Sequence, residues 1–254
     1  MLPLHHLYLE ARIRAPWDSH GKNLTAVGIP KQKCFWLFQK LRVLQTSDKI
    51  THMIKAICFD LDGVYFLNGK SNFIKAVQAL GVSEDAAKRV FLKSDQMNKL
   101  YKLGKMSDTE FWTWALKEWG LNLSVQEICD LLIKGYEVNE EAAQYVKNVR
   151  SAGYKTVICS NNFPARINGL QKRFGFLDDF DTIVLSYEAG IDKPSTEIFQ
   201  QLITKTGVEP NEIFYSDDDE SKMEGAKSLG INTFLYTNFA DFVAELERLG
   251  VTLV

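Results

Sequence analysis

The stretch MIKAICFDLDGV, residues 53–64, decides the fold of this chain. Its apolar part, Ile54 to Phe59, ends at acidic residues and is typical of a short buried strand in a parallel sheet. Asp60 and Asp62 are two residues apart, so both side chains can leave the strand end toward the same side, and Gly63 permits a sharp turn there. Two carboxylates so close repel each other unless a cation or a shared proton intervenes. Mg²⁺ is the hard divalent cation that suits such oxygen ligands.

Working outward from this stretch, the chain after residue 138 alternates between predicted helices and strands. Such alternation indicates an α/β fold, a doubly wound parallel sheet with a Rossmann-type core. Between Val64 and Val138 the pattern is helical instead, with capping-box signals at Ser107 and Ser124. The predicted strands are 155–159, 182–185, 212–215 and 232–236, and the predicted helices are 106–120, 140–152, 165–174, 197–206, 221–229 and 239–249.

Polar residues also lie beyond the second, third and fourth predicted strands, when Ile54–Phe59 is counted as the first. Ser160-Asn161-Asn162 follows the second strand, Asp192-Lys193-Pro194 precedes the helix after the third, and Asp217-Asp218-Asp219 follows the fourth. Ligands of such sheets bind beyond the carboxyl ends of the strands, so these groups should meet at one edge. A hydroxyl and free backbone N–H groups at Ser160 and Asn161 can hold an anion, or can simply cap the next helix. Lys193 can balance the aspartates and a phosphate.

The chain from Met53 to about Asn238 resembles the haloacid dehalogenase-like (HAD) hydrolase superfamily. The insert is similar to the helical cap (subfamily I) of a subgroup holding small sugar phosphatases and the phosphatase domain of soluble epoxide hydrolases. The residues before Met53 have no counterpart in the resemblance. The matching motifs are ICFDLDGV (57–64), VICSNN (157–162), GIDKP (190–194) and FYSDDDESKMEGAKSLG (214–230), with YKLGKMSDTEF (101–111) in the cap.

The resemblance implies a Mg²⁺-dependent phosphomonoester hydrolase of a small phosphorylated metabolite. Asp60 would be the nucleophile that forms an aspartyl-phosphate, and Asp62 the general acid that later activates water. Ser160 and Lys193 would orient the phosphate. Asp60, Asp62 through its backbone carbonyl, and Asp218 would hold Mg²⁺. The resemblance also implies a core of residues 53–63 and 139–254, with a cap of residues 64–138.

Alternatives stay open at this point. Dehalogenases of the superfamily lack the second aspartate, so Asp62 favours phosphate chemistry, but a phosphomutase uses the same two aspartates. A weakly active or non-catalytic phosphate-binding homologue is the third reading. Lys222 favours this third hypothesis, because it occupies the position four residues after Asp218 where such proteins usually carry Asn or Asp. The Lys222 ammonium either approaches the metal or turns to solvent or to Asp219.

Composition narrows the choice of partners and compartment. The net charge of −2 marks neither nucleic acid nor an anionic membrane as a partner. The four cysteines form no CxxC pair, which favours free thiols in a cytoplasmic protein over disulfides or zinc. Residues 1–52 carry eight Lys/Arg and three Asp/Glu, about +5, against about −7 for the remainder. We therefore expect a non-essential extension at residues 1–52, with one helix at Lys33–Leu44. Oligomeric state has no sequence signal.

Overall fold

A parallel sheet of five strands, in the order β5-β4-β1-β6-β7, forms the centre of the molecule in a computed structural model that describes residues 53–253. β1 pairs in parallel with both β4 and β6, so the residues that follow β1 leave from the middle of the sheet. This architecture confirms the predicted α/β class. The strands are β1 (Ala56–Phe59), β2 (Phe66–Leu67), β3 (Glu137–Val138), β4 (Lys155–Ser160), β5 (Thr182–Leu185), β6 (Ile213–Asp217) and β7 (Asn232–Leu235).

Helices cover both faces of the sheet. Ile57 and Phe59 of β1 face a core built with α5, α6 and α10. Ala56 and Cys58, the alternate residues, face a second core built with α8 and α9. Period-2 alternation in a strand covered on both sides explains why every residue of β1 is apolar. The helices are α1 (Gly69–Ala79), α2 (Glu84–Phe91), α3 (Asp108–Trp119), α4 (Val125–Lys134), α5 (Glu140–Ser151), α6 (Pro164–Phe174), α7 (Ser186–Ala189), α8 (Thr196–Thr206), α9 (Glu224–Ser228) and α10 (Phe239–Arg248).

The segment between β1 and α5 is inserted into this sheet fold and contains α1 to α4. A small antiparallel ribbon of β2 and β3, which the helical pattern did not predict, joins its two ends. A π-helix at Gln96–Leu100 and a 3₁₀-helix at Tyr101–Leu103 lie between α2 and α3. Both predicted capping boxes are present: Ser107 with Glu110 begins α3, and Ser124 with Glu127 begins α4.

Aromatic side chains form the core of the inserted segment. Phe111 and Trp112 are fully buried, and Trp114 is half-buried. The ring of Tyr101 stacks on Phe111 with 4.4 Å between centroids, and its hydroxyl accepts a hydrogen bond of 3.1 Å from Trp112 Nε1. These aromatic side chains therefore pack as core and do not line an open ligand cage.

One helix prediction is wrong. Residues 221–229 do not form one helix but a 3₁₀ turn at Glu220–Lys222 followed by the short α9. The Asp219 carboxylate caps the first turn by accepting from the Ser221 N–H at 3.0 Å. The short α9 follows, and its Gly225 lies so close to the Pro194 carbonyl that a Cβ there would approach the oxygen to 2.3 Å, so the position requires glycine.

The three cysteines among the described residues are free thiols, and Cys34 lies outside the described residues. Cys58 and Cys159 are buried in β1 and β4, and Cys129 is half-buried on α4. Over residues 53–253, no helix has the length and apolar character needed to cross a membrane. The predicted extension, residues 1–52, and its helix Lys33–Leu44 lie outside the described residues and stay predictions.

Candidate active site

A buried lysine ties three strand ends together. Lys193, in the loop between α7 and α8, places its ammonium 2.8 Å from Asp60 Oδ1, 2.6 Å from Asp217 Oδ2 and 3.0 Å from the Cys159 carbonyl oxygen. Burial opposes this charge, but Asp60 and Asp217 outweigh it and raise the pKa of Lys193. The ammonium is therefore held as a cation in a site that excludes water.

The Asp217 carboxylate is fully engaged by this network. Its Oδ2 also accepts a hydrogen bond from the Tyr215 hydroxyl, and its Oδ1 accepts from the Asp219 N–H at 2.9 Å. Sequence reasoning did not single out Asp217, since a run of three aspartates does not say which side chain turns inward. Asp217 is the last residue of a buried strand and lies on the same face as Ile213 and Tyr215, and this is the signal that could have found it.

Asp60 and Asp218 are the carboxylates with oxygens left to offer. Asp60 Oδ2 and the Asp218 carboxylate make no hydrogen bond or ion pair with residues in the described part of the chain. One oxygen each from Asp60, Asp217 and Asp218 lie within 4.8 Å of one another, a hard-oxygen set that suits a divalent cation. Burial, and then the charges of Asp60 and Asp217, raise the pKa of Asp218 to about 6. A bound cation would remove that repulsion.

Gly63 is required for this arrangement. Its φ is +81°, a conformation that side chains disfavour. A Cβ at this position would also lie 2.1 Å from Asp218 Oδ2, so any larger residue would push that carboxylate away. The turn after β1 and the loop after β6 therefore pack directly on each other.

Asp62 is held by two cations that the sequence analysis missed. Arg166 Nη1 lies 2.6 Å and Lys70 Nζ 3.2 Å from Asp62 Oδ2. Burial raises the pKa of Asp62, but Arg166 and then Lys70 outweigh it and lower this pKa to about 2. In this geometry Asp62 is a carboxylate.

Arg166 is itself a buried, fully partnered side chain. It donates to Tyr136 Oη at 2.9 Å, to Asn162 Oδ1 at 2.6 Å and to the Asn161 carbonyl at 3.2 Å. Its guanidinium also lies 4.7 Å from the centroid of the Phe163 ring. Because Tyr136 ends the inserted segment and Arg166 belongs to α6, the arginine joins that segment to the sheet fold.

The predicted phosphate-binding residues are placed differently from one another. The Asn161 side-chain amide binds the backbone of Lys193. Its Oδ1 accepts from the Lys193 N–H at 2.8 Å, and its Nδ2 donates to the Lys193 carbonyl at 3.0 Å. Asn161 therefore fixes the loop that carries the lysine. The Ser160 hydroxyl is buried at the end of β4 and accepts from Asn162 Nδ2 at 3.4 Å. Ser160 does not line the cavity, whereas Asn161 does.

These groups surround one small cavity of about 130 Å³. The sheet edge supplies its acidic wall. The facing wall is basic and polar and comes mainly from the inserted segment. The lining residues are Asp60, Asp62, Asn161, Asp192, Lys193, Asp217, Asp218, Asp219 and Lys222 on the sheet side, and Lys70, Asn98 and Lys102 on the inserted segment.

Lys222, the departure from the expected motif, lines this cavity. The Asp219 carboxylate, its expected surface partner, accepts instead from the Ser221 N–H and hydroxyl. Lys222 is half-buried and forms no ion pair with any residue in the range 53–253. The alternative in which Lys222 pairs with Asp219 is therefore not the one that the structure adopts.

The comparison with known proteins matches the part of the chain that contains the four motifs named in the sequence analysis. The family model for haloacid dehalogenase-like hydrolases matches residues 54–230. D-ribitol-5-phosphate phosphatase of Bacteroides thetaiotaomicron is 31% identical over 203 residues, covering 76% of this chain and 97% of that enzyme. Bifunctional epoxide hydrolase 2 of Sus scrofa is 24% identical, covering 79% of this chain but only 40% of that longer protein.

Solved structures agree on the fold. A HAD family enzyme from Bacteroides thetaiotaomicron, solved as a magnesium complex, is similar with a TM-score of 0.65. The match covers 75% of this chain and 98% of that chain, at 22% sequence identity. At that identity the similarity concerns the fold.

Proposed function

Because this chain belongs to the haloacid dehalogenase-like hydrolase family, we propose that it is a Mg²⁺-dependent phosphatase of a small phosphorylated metabolite. One observation carries the proposal: Asp60, Asp217 and Asp218 form a cation-binding cluster in the same cavity as Asp62. A halide leaves without a proton, whereas the alkoxide of a phosphomonoester needs one, so a second carboxylate beside the nucleophile favours phosphate chemistry. The phosphatase and the magnesium complex among the similar proteins support the same choice.

Mg²⁺ fits the residues present. Asp60 Oδ2, the Asp218 carboxylate and the Asp62 backbone carbonyl would hold it, since Asp217 is already engaged by Lys193 and Tyr215. When bound, the cation would neutralise charge on the phosphate oxygens and orient the phosphate. The inserted segment would act as a cap over the core, and a cavity of about 130 Å³ favours a small substrate.

We assign the nucleophile to Asp60. Its Oδ1 is fixed by the Lys193 ammonium, whose positive charge would lie beside the phosphate that Asp60 attacks. An Asp60 oxygen would attack phosphorus, forming an acyl-phosphate as the ester P–O bond breaks. The buried Lys193 cation then stabilises the charge on the transferring phosphoryl group. In this proposal Ser160 and Asn161 act mainly by shaping the loop after β4, with the Asn161 backbone N–H directed to phosphate.

We assign the proton transfers to Asp62. In the first step its carboxylic acid would protonate the leaving alkoxide. In the second its carboxylate would take a proton from water, as the water oxygen attacks phosphorus and the aspartyl–phosphate bond breaks. Arg166 and Lys70 hold the carboxylate form needed for the second step. Arrival of the substrate phosphate dianion raises the proton affinity of Asp62 and so favours the acid needed for the first.

Release of inorganic phosphate from p-nitrophenyl phosphate tests the proposal. The full chain should turn this substrate over with Mg²⁺ and lose that activity when EDTA removes the metal. An Asp60→Asn preparation, purified in parallel, measures contaminating phosphatase. Chloride release from 2-chloropropionate, without phosphate release from a panel of phosphomonoesters, would contradict the phosphatase assignment. Phosphate transfer that requires a sugar bisphosphate activator would instead indicate a phosphomutase.

A further inference from the structure

Two lysines at the active-site cavity have no carboxylate partner. Lys102 and Lys222 both line it, and neither forms an ion pair within the described residues. The other cations are committed: Lys193 to Asp60 and Asp217, and Arg166 with Lys70 to Asp62. The unpartnered charge is therefore concentrated at one side of the cavity.

Lys102 is held in place rather than left to solvent. Asn98 Nδ2 donates to the carbonyls of Leu92 at 2.9 Å and Ser94 at 3.2 Å, which leaves its Oδ1 to accept from Lys102 Nζ at 3.1 Å. The Lys102 carbonyl accepts from the Ser186 hydroxyl at 2.7 Å, a bond to the sheet domain.

The backbone around Lys102 has an unusual form that achieves this placement. Asn98 belongs to the π-helix Gln96–Leu100, and Lys102 to the 3₁₀-helix that follows. π-helical turns are rare and occur frequently at functional sites. Burial, and then the nearby Arg166 and Lys70, lower the pKa of Lys102 to about 8. The attraction of Asp62 only partly offsets these effects, so the ammonium is kept at a position where more positive than negative charge faces it.

We infer that Lys102 and Lys222 bind a second anionic group of the substrate, so that the preferred substrates are phosphomonoesters carrying a carboxylate or a second phosphate. This inference rests on the proposed function. Lys193 and the metal serve the transferred phosphate, whereas Lys102 lies on the inserted segment, where the rest of the substrate must be. Lys222 lines the same cavity from the sheet side, near enough for its charge to act on Lys102. The lysine that replaces the usual Asn or Asp at position 222 then contributes to substrate selection.

Matched substrates test the inference. We expect the full chain to show a kcat/KM at least tenfold higher for 3-phosphoglycerate than for glycerol 3-phosphate, or for fructose 1,6-bisphosphate than for fructose 6-phosphate. The first pair differs by a carboxylate and the second by a phosphate, so the two arms distinguish the two anions. Equal kcat/KM values within both pairs would overturn the inference.

Variants locate the preference on the two lysines. Lys102→Met and Lys222→Met should each reduce the ratio within the preferred pair at least fivefold, and Lys102→Arg should keep part of it. Lys99→Met is the matched control, because Lys99 lies in the same π-helix with its ammonium exposed and paired with Asp95. A Lys102→Met variant that loses activity equally on both members of a pair would show a structural role and overturn the assignment.

The two levels of the proposal can fail separately. If p-nitrophenyl phosphate and all four metabolites are left intact with Mg²⁺, the phosphatase function itself fails. If p-nitrophenyl phosphate is hydrolysed but neither pair is discriminated, only the second anion site fails.

Discussion

The sheet edge and the inserted segment both bring charged side chains to the cavity, but they hold them differently. At the sheet edge, Lys193 is enclosed between Asp60 and Asp217, with its ammonium less than 3 Å from an oxygen of each. On the inserted segment, Lys102 is fixed by an amide and forms no ion pair within the described chain. A closed network suits chemistry that is the same for every substrate, whereas an open charge suits recognition of one class of substrate.

The largest effect should come from the sheet edge. We expect Asp60→Asn to abolish turnover, because an amide cannot form the acyl-phosphate. Asp95→Asn, an exposed aspartate of the inserted segment, is the control and should keep full activity. Phosphate release from p-nitrophenyl phosphate measures both. Mg²⁺-dependent turnover by Asp60→Asn, above that of a mock purification, would remove Asp60 from the nucleophilic role.

Asp62 stands between the two regions, since cations from both sides hold it. We expect Asp62→Asn to lower kcat by ~10²–10⁴, the usual contribution of a general acid–base. The loss should be smaller for p-nitrophenyl phosphate than for glycerol 3-phosphate, because p-nitrophenolate leaves without a proton. A loss below tenfold on the alkyl phosphate would exclude Asp62 from proton transfer.

The difference between the sheet edge and the inserted segment also explains which site residues could be predicted from the sequence. The strand ends were found because parallel strands deliver their following loops to one edge, so that Asp60, Lys193 and Asp218 could be placed together before any coordinates. Their local sequences, apolar runs followed by acids or glycine, carry that information directly. The boundaries of β4 and β5 needed little revision for the same reason.

Arg166 shows why the rest could not be predicted. It pairs with Asp62 across 104 positions of sequence, and its helix has a normal amphipathic pattern beside Ile167 and Leu170. Periodicity identifies a buried face but not which distant residue will meet it. Asn98 and Lys102 lie in and directly after a π-helical turn, which has no simple sequence signal, so the sequence does not predict that they line the cavity.

Removing Arg166 should lower the stability of the fold. We expect Arg166→Met to lower the free energy of unfolding by ~3–5 kcal/mol at pH 7, because it removes the buried cation from Asp62, leaves only the exposed Lys70 beside that carboxylate, and leaves Asn162 Oδ1 without its side-chain donor. Urea unfolding followed by circular dichroism measures this. Arg173→Met, an exposed arginine at the end of the same helix, should cost ~1 kcal/mol or less.

The pH dependence of the loss in unfolding free energy shows whether the Arg166–Asp62 ion pair causes it. Against the effect of burial, Arg166 and then Lys70 lower the pKa of Asp62 to about 2, compared with ~3.9 in an unfolded chain. A lowered carboxylate pKa adds stability that is present above the unfolded value and is lost as pH falls toward the folded one. The gap between the wild-type and Arg166→Met proteins should therefore shrink between about pH 4 and pH 2. A gap that is constant over that range would mean that packing, rather than the ion pair, accounts for the loss.

The smallest effect concerns Lys222, where the two regions meet. Its ammonium shares the cavity with Asp218 and has no carboxylate partner in residues 53–253, so it repels a divalent cation bound there. We expect Lys222→Asn to lower the Mg²⁺ concentration that gives half-maximal activity by about two- to fivefold, the size of one exposed charge interaction in a high dielectric.

Mg²⁺ titrations of activity measure this effect, with saturating p-nitrophenyl phosphate as a substrate that has no second anionic group. Lys227→Asn is the control, since Lys227 is exposed and paired with Glu220. The gain should diminish at high ionic strength, where screening shortens the range of the repulsion. Superimposable titrations of the wild-type and Lys222→Asn proteins would mean that the ammonium is too far from the metal to oppose it, and that its charge acts on the substrate alone.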